Sequence, residues 1–187
     1  MCHARSAQQT LLHRSGVRPD GRAGILHEDD RVELLEGEIV EMAPIGSRHA
    51  ACVARLTALF SRAQERGIVW VQNPIRLGER SEPQPELTFL KPRPDFYAQV
   101  HPGPADVLLV VEVAETSTDV DREVKIPLYA RAGIPEAWLM DLPGECIEVY
   151  RNPSPQGYQD LQRVQHGQRL SPHMLPDLEL LVDDSLG

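Results

Sequence analysis

A mixed sheet flanked by helices, α/β or α+β, is the fold this sequence predicts, and three observations carry it. Residues 106–113, DVLLVVEV, form the most apolar run of the chain and fit a central strand covered on both faces. Two stretches of helical periodicity, 44–67 and 118–133, lie on either side of that run in sequence. Short strand-like segments fill most of the rest, so the order reads hairpin, helix, strands, helix, strands.

Residues 1–22 have no steady apolar period and predict a loosely ordered leader, which leaves 23–187 as a single domain. RVELLEGEIVEM (31–42) reads as two short strands joined through Glu36-Gly37, with glycine supplying the turn. In the helix of 44–67, Ser47 is the expected N-cap, Ala51, Leu56, Leu59 and Ala63 share one face, and Gly67 is the stop. Residues 68–77 and 85–90 are strand-like, and the proline-rich 91–105 that follows is irregular. In the helix of 118–133, Thr118 and Asp121 have capping-box spacing, and Pro127 predicts a kink or a late start. EAWLMDL, CIEVYR and YQDLQRV read as strands separated by PGE and NPSPQG turns, and the apolar alternation of the tail fades out.

Composition narrows the function. The chain has 187 residues, 41% of them hydrophobic, and a net charge of −9, which argues against bulk coating of nucleic acid. An enzyme acting on DNA remains compatible with that charge, because a metal pocket needs clustered carboxylates. Cys2, Cys52 and Cys146 are widely spaced and odd in number, unlike a disulfide framework or a zinc knuckle. The histidines show no metal-ligand spacing. The start of the chain carries no apolar signal stretch, so a cytoplasmic protein is expected.

The chemistry centres on Glu112, a carboxylate inside an apolar strand. Burying it alone is costly, so it is expected to be paired, protonated or metal-bound. An ion pair with Lys125 or an arginine is one account. The other needs a second acid, and Glu86 opens a neighbouring strand. Two carboxylates at adjacent strand ends can share a hard divalent cation such as Mg²⁺ or Mn²⁺, with a lysine nearby to orient or deprotonate a water.

Four separated motifs in the same order, ELLEGEIVEMAPIGSRH, SEPQPEL, LLVVEVAETSTDVDREVK and YARAGIPEAWLMDL, strongly resemble the Uma-two family. That family belongs to the restriction-endonuclease-like PD-(D/E)XK superfamily, and the resemblance runs from about residue 24 to residue 158. It implies a restriction endonuclease-like mixed sheet, a Mg²⁺-dependent (or Mn²⁺-dependent) DNA endonuclease and a homodimer. It also implies a site built from Glu86 and Glu112 as metal ligands, Lys125 as the lysine, and Glu38 as a further acid.

Two departures from the family pattern stand out. The lysine of the superfamily usually follows its glutamate by two positions, where this chain has Ala114, so Lys125 is the displaced equivalent. Glu86 stands where the family has Asp, and Asp95, in a Pro-Asp pair of its own, is the alternative ligand. His49 is expected to cap or pack, Asp121 and Lys125 to form a helix-surface pair, Tyr129 to be core or pocket wall, Trp138 core, and Asp141 a turn former. A catalytically decayed module of the same fold, binding nucleic acid or a protein partner, is the alternative function; a hydrolase of other phosphate esters is a third.

Overall fold

The structure, a computed structural model, describes residues 31–187 except 117, so the leader expected over 1–22 lies outside the described residues. Its centre is a six-stranded sheet in the order β3-β4-β5-β6-β7-β8. The strands are β3 (Ile68–Val71), β4 (Leu87–Leu90), β5 (Val107–Ala114), β6 (Glu136–Asp141), β7 (Cys146–Ser154) and β8 (Gly157–Gln165). All neighbours are antiparallel except β5 and β6, which run parallel. A parallel pair needs a crossover, and the second helical stretch supplies it. Two small antiparallel pairs stand apart from this sheet: β1 (Val32–Leu35) with β2 (Glu38–Glu41), and β9 (Arg169–Leu170) with β10 (Leu180–Leu181).

Helix α1 (Ser47–Phe60) covers one face of the sheet. Cys52, Val53, Leu56, Leu59 and Phe60 pack on Leu87, Phe89, Val111, Val113, Trp138 and Met140. Trp138 is core, as the sequence predicts. The cap of α1 is Gly46, without a side-chain bond, and Ser47 is already helical. The helix also stops earlier than expected. Thr57 and Ser61 turn their hydroxyls back onto the carbonyls of Val53 and Thr57, at 2.8 and 2.7 Å. Such back-bonding weakens a helix end, and a 3₁₀ turn, Ser61–Ala63, follows. Gly67 is instead required by a close approach, since a Cβ there would stand 2.5 Å from the Leu90 carbonyl oxygen and 2.5 Å from the Phe89 ring.

Helix α2 covers the other face and has three parts: an α turn, Thr118–Val120, a π turn, Asp121–Lys125, and an α segment, Ile126–Arg131. Pro127 explains the middle part. Its ring would press on the carbonyl four residues back and it has no N–H to donate; a wider turn just before it relieves both problems. Thr118 is the first residue of the helix rather than its cap. Ile126 and Tyr129 pack with Val110, Ala114, Ala137 and Leu139 of the sheet.

The remaining differences lie at element ends. The strand expected over 68–77 ends at Val71, because Gln72 takes a left-handed φ of 50°. The expected NPSPQG turn shrinks, since β7 continues through Ser154 and β8 begins at Gly157. The tail does not fade: Val182–Leu186 forms a helix, α3, whose Leu186 carbonyl accepts a bond from Arg55 at 3.1 Å. No helix among the described residues is long and apolar enough to cross a membrane.

Gly67→Ala is expected to cost about 1–3 kcal/mol, because backbone at Leu90 cannot yield as a side-chain tip can. Thermal unfolding of the variant checks this, and an unchanged midpoint would show that the approach is looser than described.

Candidate active site

The β4–β5 register puts Leu87 opposite Val111. Carried one step further, it sets Glu86 opposite Glu112, where two same-face side chains are in contact range. Glu86 Oε2 lies 3.4 Å from the Val113 amide, which donates to it. Glu112 is fully buried and faces α2. There the Tyr129 hydroxyl donates to its Oε1, and Lys125 Nζ reaches its Oε2 at 3.4 Å.

Lys125 is the hub. Its ammonium also lies 3.0 Å from Glu33 Oε2 and 3.5 Å from Asp121 Oδ1. The π turn holds Asp121 and Lys125 on the sheet side of α2, so both are buried rather than paired on a helix surface. Glu33 comes from β1, and its other oxygen accepts the Gln84 amide at 2.7 Å. The hairpin is tied down beside it by the Leu34–Glu82 bridge. A cleft of about 250 Å³ opens over this cluster, lined among others by Arg31, Glu33, His49, Glu86, Asp121 and Lys125.

Burial would push Lys125 down, but Glu112, Glu33, Asp121 and Glu86 outweigh it and hold the amine well above the ordinary lysine range. Lys125 is therefore an ammonium. Burial pushes Glu112 well up, Lys125 pulls the other way, and the charge of Glu86 and its hydrogen bond to Glu112 add to the rise. Burial lifts Glu33 too, against the pull of Lys125. Burial lowers His49, against the pull of Glu115, Asp121 and Glu112. His49 Nε2 stands 3.3 Å from Glu86 Oε1 and has no hydrogen-bond partner among the described residues, so it faces the acid instead of capping α1.

Two carboxyl groups in hydrogen-bond contact inside a buried site need a positive particle between them, either a proton or a cation. Among the described residues no three His, Cys, Asp or Glu side chains converge to hold a metal. The donor chemistry fits the sparser arrangement, in which Glu86 and Glu112 contribute oxygens to a hard cation that keeps several waters.

The other expected residues lie elsewhere. Glu38 is exposed at the start of β2 and is not among the residues that line the cleft. The hairpin contributes Glu33 instead. Asp95 sits in the loop after β4, 2.6 Å from Arg93. Asp141 does form its turn, accepting the Gly144 amide at 2.9 Å, and it also binds Arg122. Ala114 is fully buried against Ile126 and Tyr129. A lysine there would have no room, which is a physical reason for the displacement to 125. Glu33, Asp121 and His49 are the members that sequence reasoning missed or gave other roles. One signal pointed to this pocket: the chain has 17 arginines and only two lysines, Lys91 and Lys125, so a lysine in the middle of a motif is a marked choice.

A model of the Uma2 family, described as "Putative restriction endonuclease", matches residues 22–183. The chain belongs to the Uma2 family. Among solved structures, the fold is similar to that of a protein from Anabaena variabilis ATCC 29413 described as a "putative nuclease belonging to DUF820". That likeness has a TM-score of 0.66 and 16% identity, and covers 83% of this chain and 89% of the other. At that identity it supports the fold alone. No curated protein matches the chain. Together the Uma2 match and the shared fold bear out the restriction endonuclease-like mixed sheet that the resemblance implied.

A second buried acid stabilises this face of the sheet. Glu148 accepts Arg122 Nε at 3.0 Å, Arg163 Nε at 2.9 Å and the Tyr150 hydroxyl at 2.6 Å. Burial alone would raise its carboxyl, but the bonds from Arg122, Tyr150 and Arg163 overcome that and leave it below the ordinary 4.5. A depressed acid stabilises fully above its unfolded value and loses that contribution as pH falls through its folded value. The unfolding midpoint is therefore expected to fall as pH drops from 4.5 downward. Glu148→Gln should start lower by about 2 kcal/mol and show a flatter acid limb. Parallel acid limbs for the two proteins would remove Glu148 from this role.

Proposed function

We propose that this Uma2 chain is a divalent-cation-dependent DNA endonuclease that hydrolyses phosphodiester bonds in the cleft above Glu112. The reading rests on Glu86, which stands just before β4, one register step beyond the Leu87–Val111 pair and so across from Glu112, with the Lys125 ammonium against Glu112. Mg²⁺ or Mn²⁺, when bound by Glu86 and Glu112, would supply Lewis-acid activation of water and phosphate. The cleft lining favours such a cation, because Glu33, Glu41, Glu86, Glu115 and Asp121 would otherwise repel a phosphodiester.

The chain's own residues divide the remaining work. Lys125, as an ammonium, has no lone pair with which to take a proton from water. It is placed to donate hydrogen bonds and to offset charge developing on the phosphate oxygens. Glu33 and Asp121 fix the amine in place, and Tyr129 fixes the carboxyl of Glu112. Burial of the cluster strengthens each of these interactions by excluding water.

Glu112→Gln is expected to keep the fold and abolish divalent-cation binding. Glutamine preserves the shape and removes the charge that burial and Glu86 already oppose. Calorimetry with Mn²⁺ decides it: an affinity equal to that of the wild type would return Glu112 to a purely structural ion pair.

Lys125→Met is expected to bind Mn²⁺ at least as well as the wild type, since one positive charge has left the site. Its cleavage of duplex DNA should fall by roughly 100- to 1,000-fold. Cleavage at the wild-type rate would rule out the ammonium as the group that offsets phosphate charge. A wild-type protein that binds DNA but neither binds Mn²⁺ nor cleaves would favour the decayed-module reading.

A further inference from the structure

Arg122 is not part of the cluster around Lys125, yet it belongs to the same π turn, Asp121–Lys125. Its guanidinium spans two acids at the ends of neighbouring strands: Nε donates to Glu148 Oε2 at 3.0 Å and a terminal nitrogen donates to Asp141 Oδ2 at 2.9 Å. Glu148 is 1% exposed and Asp141 13% exposed in their side chains, while Arg122 is 32% exposed, so the guanidinium reaches from the surface onto two largely buried acids.

The sheet register shows what this contact does. Glu112 pairs with Leu139, and Leu139 pairs with Glu148, so the two glutamates stand in one row on the face that α2 covers. Helix α2 therefore straddles β6. Lys125 ties it to β5 through Glu112, and Arg122 ties it to β7 through Glu148. Between these ties the backbone is a π turn, which interrupts the regular α hydrogen-bond ladder, and Pro127 donates no bond at all. Rotation of the turn about its axis is then set chiefly by side chains. A guanidinium is suited to fixing it, because its planar fork engages two carboxylates at once and in a fixed geometry.

We propose that Arg122 is a positioning residue for the Uma2 site: its two-acid clamp fixes the rotation of the π turn and so places the Lys125 ammonium against Glu112. The inference rests on the nuclease reading for its kinetic consequence, but not for its structural one. Arg151 provides the control. It binds another buried acid, Glu136, at 2.7 Å, and that acid faces Trp138 rather than α2.

The test compares Arg122→Gln, Arg122→Lys and Arg151→Gln with the wild type. One arm measures kcat and KM on duplex DNA with Mn²⁺. The other measures acetylation of Lys125 in the metal-free protein, with Lys91, which is exposed, as the internal reference. Arg122→Gln should lower kcat by roughly 10- to 100-fold with little change in KM, and Lys125 should be acetylated several-fold faster relative to Lys91. Arg122→Lys, which reaches only one acid, should fall between. Arg151→Gln should lower the unfolding midpoint and move neither readout.

If Arg122→Gln does not fold, Arg122→Lys carries the test through the same two readouts. An Arg122 variant with wild-type kcat and a protected Lys125 overturns the proposal. So does an Arg151→Gln that moves both readouts equally, because that pattern is general destabilisation. A wild-type protein that cleaves nothing overturns the nuclease reading instead, and the acetylation arm still decides the role of Arg122.

Discussion

The buried ammonium of Lys125 is the interaction on which the rest of the structure depends. It lies within 3.5 Å of Glu33, Glu112 and Asp121, which come from the hairpin, the central strand and its own helix. Each of those acids would be costly to bury alone, and a single cation offsets all three. Hairpin, sheet and helix are thereby tied to one point. The formal charge there stays negative even so, which leaves room for a further cation beside Glu86.

The path from sequence to this point is physical at each step. The parallel pair β5–β6 demands a crossover, and the crossover helix lies over the face that carries Glu112. Pro127 widens the turn before it, and that turn carries both Asp121 and Lys125. Close packing of Ala114 removes the strand position two residues past Glu112 as a place for a lysine. The helix is then the nearest element able to supply the amine.

Much of this was legible in the sequence, for identifiable reasons. The sheet, both helices and the buried state of Glu112 followed from periodicity and from a lone acid in an apolar run. Glu86 followed from its place at a strand entrance, and the register, carried one step past the Leu87–Val111 pair, sets it across from Glu112. Glu33 was not legible, because alternation in VELL puts an acid on the face opposite Leu34 and suggests solvent there. The hairpin instead folds over the cleft and buries Glu33 with Leu34 and Leu35. Glu38 was favoured by resemblance alone, and its own side chain is exposed at the start of β2. Asp121 looked like a cap, since spacing along a helix does not reveal a π turn.

The central claim is that Glu86 and Glu112 form a cation site served by the Lys125 ammonium. The most direct measurement is the anomalous signal of Mn²⁺ in a crystal of the wild-type protein grown with that ion. The account predicts a peak bonded to carboxylate oxygens of both Glu86 and Glu112, with Lys125 still against Glu112. A peak bound elsewhere, or none when Mn²⁺ is in large excess, would contradict it.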